Sequence, residues 1–213
     1  MIIVDIETSG NLDPERKGIW QIGALDSDNP NNTFLQESRI DEEDNIEEIS
    51  LQVTGKTREE LRDKKKQSQK QLLINFFNWV SKIDNKILVA QNTPFDYTFL
   101  YLKSKKYNLQ FPFGHRTIDL HVIAAMKYFQ IRGEFLIENG NSKMNLPKIL
   151  EFCGMEDTRV QVKDNKVVKE GKPHNALEDA KLEAECFSRL LLGKGMFEEY
   201  SKFQIPEYLK GES

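Results

Sequence analysis

Four carboxylates in three well-separated segments set the tightest limit on how this chain can fold. Asp5 and Glu7 lie in the opening run Met1-Ile2-Ile3-Val4-Asp5-Ile6-Glu7-Thr8-Ser9-Gly10. Asp96 lies in Asn92-Thr93-Pro94-Phe95-Asp96, and Asp179 in His174-Asn175-Ala176-Leu177-Glu178-Asp179-Ala180. Residues two apart on a strand share a face, so Asp5 and Glu7 project together while Val4 and Ile6 project oppositely. Adjacent carboxylates repel unless a positive charge sits between them. Oxygen-only donors drawn from several elements suit a hard divalent cation such as Mg²⁺ or Mn²⁺, and no Cys/His set suits zinc.

Each acid also has an ordinary reading. Asp5 and Glu7 fit a solvated sheet face or salt bridges. Asp96 fits a capping box begun by Thr93, since an acid in the first helical turn is favoured there. Asp179 fits the first turn of a helix capped by Asn175. His174 alone fits a packed or surface histidine. What weighs against these readings is the spacing: His174 falls in the loop just before the helix that carries Asp179, where an imidazole can face a metal site and take a proton from water.

The rest of the chain reads as one α/β domain over residues 1–213, with about 195–213 as a possible C-terminal helical tail. Strands are expected at Ile2 to Ile6, Ile19 to Leu25, Asn32 to Ile40 and Lys86 to Ala90. Helices are expected over Leu72 to Val80, over Pro94 to Lys105 with Thr93 as N-cap, over Asp119 to Phe129, over Asn145 or Leu146 to Phe152, and over Asn175 to Leu192. The acidic block Asp41 to Glu48 and the basic stretch Arg58 to Lys70 read as solvated, and Val160 to Lys172 as a hairpin around Asp164-Asn165 or a loop. Cys153 and Cys186 form no zinc spacing and read as buried reduced thiols.

The net charge is −4, so no global positive field recruits nucleic acid, and basic groups for such a partner must be local. The opening run meets a charge at Asp5, which breaks any signal-peptide core, and the apolar stretches are too short to span a bilayer. No membrane association and a cytoplasmic location are expected.

Three motifs together carry a resemblance. Asp5-x-Glu7-Thr8-x-Gly10, Asn92-x-x-Phe95-Asp96 and His174-x-Ala176-x-x-Asp179 resemble, in order, the three motifs of the DEDDh family of 3′–5′ exonucleases, which includes polymerase proofreading subunits, ribonuclease T and oligoribonuclease. Gln21-Ile22-Gly23-Ala24 is similar to the family's second strand, and Thr117-Ile118-Asp119-Leu120 to its hydrophobic-Asp segment before a helix. The resemblance implies a ribonuclease-H-like mixed β-sheet flanked by helices. It implies two Mg²⁺ or Mn²⁺ ions held by Asp5, Glu7, Asp96 and Asp179, with His174 as general base. It also implies hydrolysis at single-stranded 3′ ends, DNA slightly ahead of RNA. The backbone of Thr8, Ser9 and Gly10 would approach the terminal nucleotide, Leu12 and Phe95 could pack on its base or sugar, and Lys172 could contact phosphate. His115 and His121 take no part. A polymerase-associated proofreading or interaction subunit and an RNA-trimming exoribonuclease stay open as alternatives, as does a homodimer.

Overall fold

The computed structural model describes residues 1–11, 13–163 and 166–210. Strand β1 (Ile2–Thr8) pairs antiparallel with β2 (Ile19–Asp26), which pairs antiparallel with β3 (Asn29–Glu37). Helices α1 (Glu48–Thr54), α2 (Arg58–Leu61) and α3 (Gln69–Ser81) follow, then β4 (Leu88–Ala90) and α4 (Thr93–Lys106). The two-residue β5 (Ile118–Asp119) runs into α5 (Leu120–Arg132). A small hairpin, β6 (Ile137–Glu138) and β7 (Asn141–Ser142), precedes α6 (Leu146–Phe152). A second hairpin, β8 (Gln161–Lys163) and β9 (Lys166–Lys169), precedes α7 (Ala176–Leu192). The main sheet is ordered β3-β2-β1-β4-β5, with β4 parallel to both β1 and β5. This mixed sheet flanked by helices is a ribonuclease-H-like α/β fold.

β1 is covered on both faces, which explains why its sequence is apolar at nearly every position but the acids. Ile2, Val4 and Ile6 pack with Leu72, Phe76, Val80, Phe99 and Leu100 of α3 and α4. Ile3 packs on the other face with residues of α5, α6 and α7, including Ala180, Ala184 and Phe187. Asp5 and Glu7 share the face of Ile3 and therefore look toward α7.

Close seating of α7 depends on one glycine. Gly23 of β2 lies opposite Asp5, and a Cβ built there would stand 2.1 Å from the carbonyl carbon of Ala176 and from the amide nitrogen of Leu177. Two residues earlier, the Gln21 Oε1 accepts the Ala176 N–H at 2.8 Å. Gln21 and Gly23 thus dock the first turn of α7 against the sheet beside the acids.

Several boundaries differ from the sequence reading. β3 lies earlier than Asn32 to Ile40, ending at Glu37. The N-cap of α4 is Asn92, held at φ 64°, and Thr93 lies inside the helix. The Thr93 hydroxyl is drawn away from capping because it donates to the carbonyls of Ala90 and Ile118. The acidic block is not wholly solvated: Asp44 is buried, accepting from Lys103 at 3.1 Å and from Gln69 at 2.8 Å. Arg62 of the basic stretch donates to the carbonyls of Asp41, Glu42 and Asp44. The hairpin expected within Val160 to Lys172 is present, although its turn, Asp164-Asn165, lies outside the described residues. The segment after α7 forms two short 3₁₀ turns, Glu198–Tyr200 and Glu207–Leu209, in place of a continuous helix. Cys153 and Cys186 are buried free thiols, and no helix among the described residues is long and apolar enough to cross a membrane.

Gly23→Ala tests the seating of α7. The obstructing atoms are backbone, so the clash can be relieved only by shifting the helix, and the substitution is expected to cost about 1–3 kcal/mol in denaturant unfolding. A variant as stable as the wild type would mean that α7 does not depend on this contact.

Candidate active site

Three elements bring the predicted acids together. β1 supplies Asp5 and Glu7, the first turn of α4 supplies Asp96, and the first turn of α7 supplies Asp179. Glu7, Asp96 and Asp179 are buried and Asp5 is half-buried. Glu7, His174 and Asp179 each offer one ligand atom within 4.8 Å of the others. Glu7 Oε1 and Asp179 Oδ1 are buried without a hydrogen-bond partner among the described residues. A buried carboxylate oxygen left unpaired is costly, and carboxylates with ligand atoms this close together suit a hard cation.

The electrostatics point the same way. Burial pushes the Asp5 carboxyl well above the usual carboxylate range, and repulsion from Asp179, Glu7, Glu183 and Asp96 pushes it further. Burial and Asp179 do the same to Glu7, against the Arg159 guanidinium. Asp96 is raised chiefly by burial, with the backbone amides of Asp96 and Ile6 opposing. Asp179 is raised by burial, opposed by Arg159 and His174.

Asp5, Glu7, Asp179 and His174 line a cavity of about 200 Å³, with Asp96 buried behind its wall next to Phe95. Phe95 forms part of an apolar wall with Ile49 and Val53 of α1 and Val162 of β8, and its ring packs against Phe99 at 4.8 Å. Thr8 also lines the cavity, its hydroxyl donating to the Gly10 carbonyl. Ser9 is fully buried behind it: its hydroxyl donates to Asn45 O and accepts from Gly18 N. Gly10 is packed under the Glu47 side chain, which takes the space a Cβ would need. Neither Ser9 nor Gly10 lines the cavity, and nor does the exposed Lys172. Leu12 lies outside the described residues.

The structure adds residues that the sequence reading did not assign. Arg159 is buried and donates to Asp179 Oδ2 at 2.8 Å and to both oxygens of Asp157. Glu183, one turn beyond Asp179, is buried and adds a fifth carboxylate to the cluster; it accepts the Gln91 amide at 3.1 Å, and burial with repulsion from Asp96 and Asp179 raises it. Asp119 accepts the next amide, that of Asn92, while also capping α5 through His121 N. The turn that launches Asp96 is therefore held by two carboxylates. The four-residue spacing from Asp179 to Glu183, one helical turn, is the one sequence signal for this arrangement. Ser50, Val53 and Thr54 join the wall from α1, just beyond the acidic block, a stretch to which the sequence reading gives no role.

His174 is half-buried in the cavity wall. Its Nε2 lies 2.8 Å from the Val160 carbonyl and its Nδ1 lies 3.4 Å from Asp179 Oδ2. A carbonyl only accepts, so in the neutral ring Nε2 carries the hydrogen and Nδ1 is the free base.

A family model described as Exonuclease (RNase_T) matches residues 2–187, and the chain belongs to that family. Over 190 residues it is 34% identical to a DNA polymerase III of PolC type from Thermotoga petrophila, spanning 89% of this chain and 12% of that protein. The PolC-type polymerase of Thermotoga maritima is 27% identical over the same extents. The chain thus matches only about an eighth of the length of these curated relatives. Among solved structures, the nuclease domain of 3′hExo, described as a DEDDh family member bound to rAMP, is similar with a TM-score of 0.62. That likeness has 20% identity and covers 97% of this chain and 95% of that one. Cell-death related nuclease 4 gives 0.66 at 16% identity, covering 91% and 64%. These likenesses are of fold.

Because the folded-state values of the acids are raised, the native state favours their protonated forms. Their contribution to stability is full below the unfolded values near pH 4 and is lost as pH rises through the raised values. Without metal, Asp5→Asn should therefore melt higher than the wild type near neutral pH, with the gap closing in acid. Asp179→Asn should show no comparable gain, because it leaves the Arg159 guanidinium short of a carboxylate. Equal melting of wild type and Asp5→Asn at neutral pH, in a chelator, would contradict the repulsion.

Proposed function

We propose that this protein is a divalent-metal-dependent 3′–5′ exonuclease that removes nucleotides from single-stranded 3′ ends, with DNA favoured over RNA. The observation that carries the reading is the convergence of Glu7, His174 and Asp179 on one point, with two carboxylate oxygens left unpaired. Asp5, Glu7, Asp96 and Asp179 would hold two Mg²⁺ or Mn²⁺ ions. When bound, such ions activate water and stabilise the charge that develops on the phosphodiester.

The protein's own residues do the rest. The carboxylate wall fixes where the reacting phosphate can sit. Ile49, Val53 and Phe95 offer an apolar surface for the terminal base or sugar, with Thr8 beside it. His174 takes the proton of the attacking water at Nδ1, and Asp179, 3.4 Å away, stabilises the imidazolium that results. Buried Ser9 and Gly10 shape the backbone behind Thr8, and Lys172 remains available for phosphate outside the cavity.

The DNA preference rests on the PolC-type polymerases among the relatives. They also favour a second reading, in which the domain serves a polymerase partner as a proofreading activity.

With end-labelled single-stranded DNA and RNA, Mg²⁺ or Mn²⁺ should produce a ladder receding from the 3′ end, faster on DNA and abolished by chelator. Asp5→Ala and Asp179→Ala should remove turnover, and His174→Ala should cost about 10²–10⁴-fold in rate. Cleavage that survives chelation, or a wild-type rate in Asp179→Ala, would overturn the proposal.

A further inference from the structure

We propose that Arg159 is a positioning residue for His174: its pairing with Asp157 clamps residues 157–160, so that the Val160 carbonyl fixes the imidazole with Nδ1 toward the cavity. This rests on the reading of His174 as the general base.

The clamp is built from a single side chain. Asp157 Oδ1 accepts from the Arg159 backbone N–H at 2.9 Å and from its Nε at 3.0 Å, and Oδ2 accepts from Nη2 at 2.9 Å. The remaining Nη1 reaches Asp179 Oδ2 at 2.8 Å. The planar fork therefore spans two carboxylates at once, which fixes its orientation as well as its charge. Both Arg159 and Asp157 are buried. Burying a guanidinium costs desolvation, and a full set of partners offsets it.

The next residue transmits that rigidity. Val160 N donates to Lys172 O and Lys172 N donates to Thr158 O, which joins the clamped segment to the chain just before His174. Gly171 permits this approach, since a Cβ there would meet Arg159 backbone carbon at 2.5 Å. His174 N donates to Val53 O at 3.1 Å, so the backbone of His174 is held by α1 while its ring is held by Val160. If Val160 shifts, the ring can flip and present N–H to the cavity where a free base is needed. A third group that orients the base is the arrangement general-base sites use.

A simpler role for Arg159, neutralising Asp179 alone, makes a different prediction for Asp157, which touches Arg159 but no acid of the cavity. The decisive experiment is ¹⁵N NMR of the imidazoles in metal-free protein at about pH 8.5. The three histidines, His115, His121 and His174, are told apart with His174→Gln. Wild type should hold His174 in one Nε2–H form, and Arg159→Met and Asp157→Asn should each give a mixture of tautomers. In steady-state exonuclease assays both should lose about 10–100-fold in kcat with KM unchanged, the usual cost of losing an orienting partner. Arg159→Lys should not restore kcat, because an ammonium cannot span both carboxylates.

Retention of the single Nε2–H form in the variants, or a wild-type kcat in Asp157→Asn, would overturn the clamp. If Arg159→Met does not fold, Asp157→Asn decides alone. Failure of the general-base reading would show separately, as full activity in His174→Gln, and would leave the tautomer result to judge the clamp.

Discussion

Repulsion among buried carboxylates is the constraint on which this structure turns. Asp5, Glu7, Asp96, Asp179 and Glu183 come from three elements and raise one another's proton affinity. No fold gathers such a set for its own stability, so the packing that holds it must be strong elsewhere. It is: the sheet is covered on both faces, by α3 and α4 on one side and α5, α6 and α7 on the other. Repulsion kept in place by that core gives a cation its opportunity to bind.

The arrangement also explains residues far from any reaction. Gly23 lets α7 come close enough for Asp179 to meet the β1 acids, and Gln21 caps the approach with a hydrogen bond. Glu183 and Asp119 hold the amides of Gln91 and Asn92, which fixes the start of α4 and hence Asp96. Asp44, paired with Lys103 and Gln69, ties the segment before α1 to α3 and α4, and α1 lends the cavity its apolar wall. Arg159 answers the local excess of negative charge on the α7 side and links it to the segment before β8 that touches His174.

Much of this was legible in the sequence because it depends on short-range rules. The two-residue period put Asp5 and Glu7 on one face, and the 3.6-residue period marked Leu72, Leu73, Phe76, Phe77 and Val80 as a core face. The family resemblance ordered the three acidic segments and singled out His174. The cap of α4 escaped, since nothing local distinguishes Asn92 in a left-handed conformation from Thr93 as N-cap. The partial burial of the acidic block escaped too, because Asp44 acquires its partners from residues far along the chain. Arg159 was illegible for the same reason, and Glu183 carried only its one-turn spacing from Asp179: a lone basic or acidic residue acquires a site only when distant elements close around it. Ser9 shows the converse, a motif position whose hydroxyl is spent on structure.

The central claim, that the gathered carboxylates form a divalent-cation site, is tested most directly by calorimetric titration of the purified protein with Mn²⁺ in the absence of nucleic acid. Saturable binding is expected in the wild type, greatly weakened in Asp179→Asn and in Glu7→Gln while both remain folded. Wild-type protein that binds no Mn²⁺, or variants that bind it as tightly, would contradict the account.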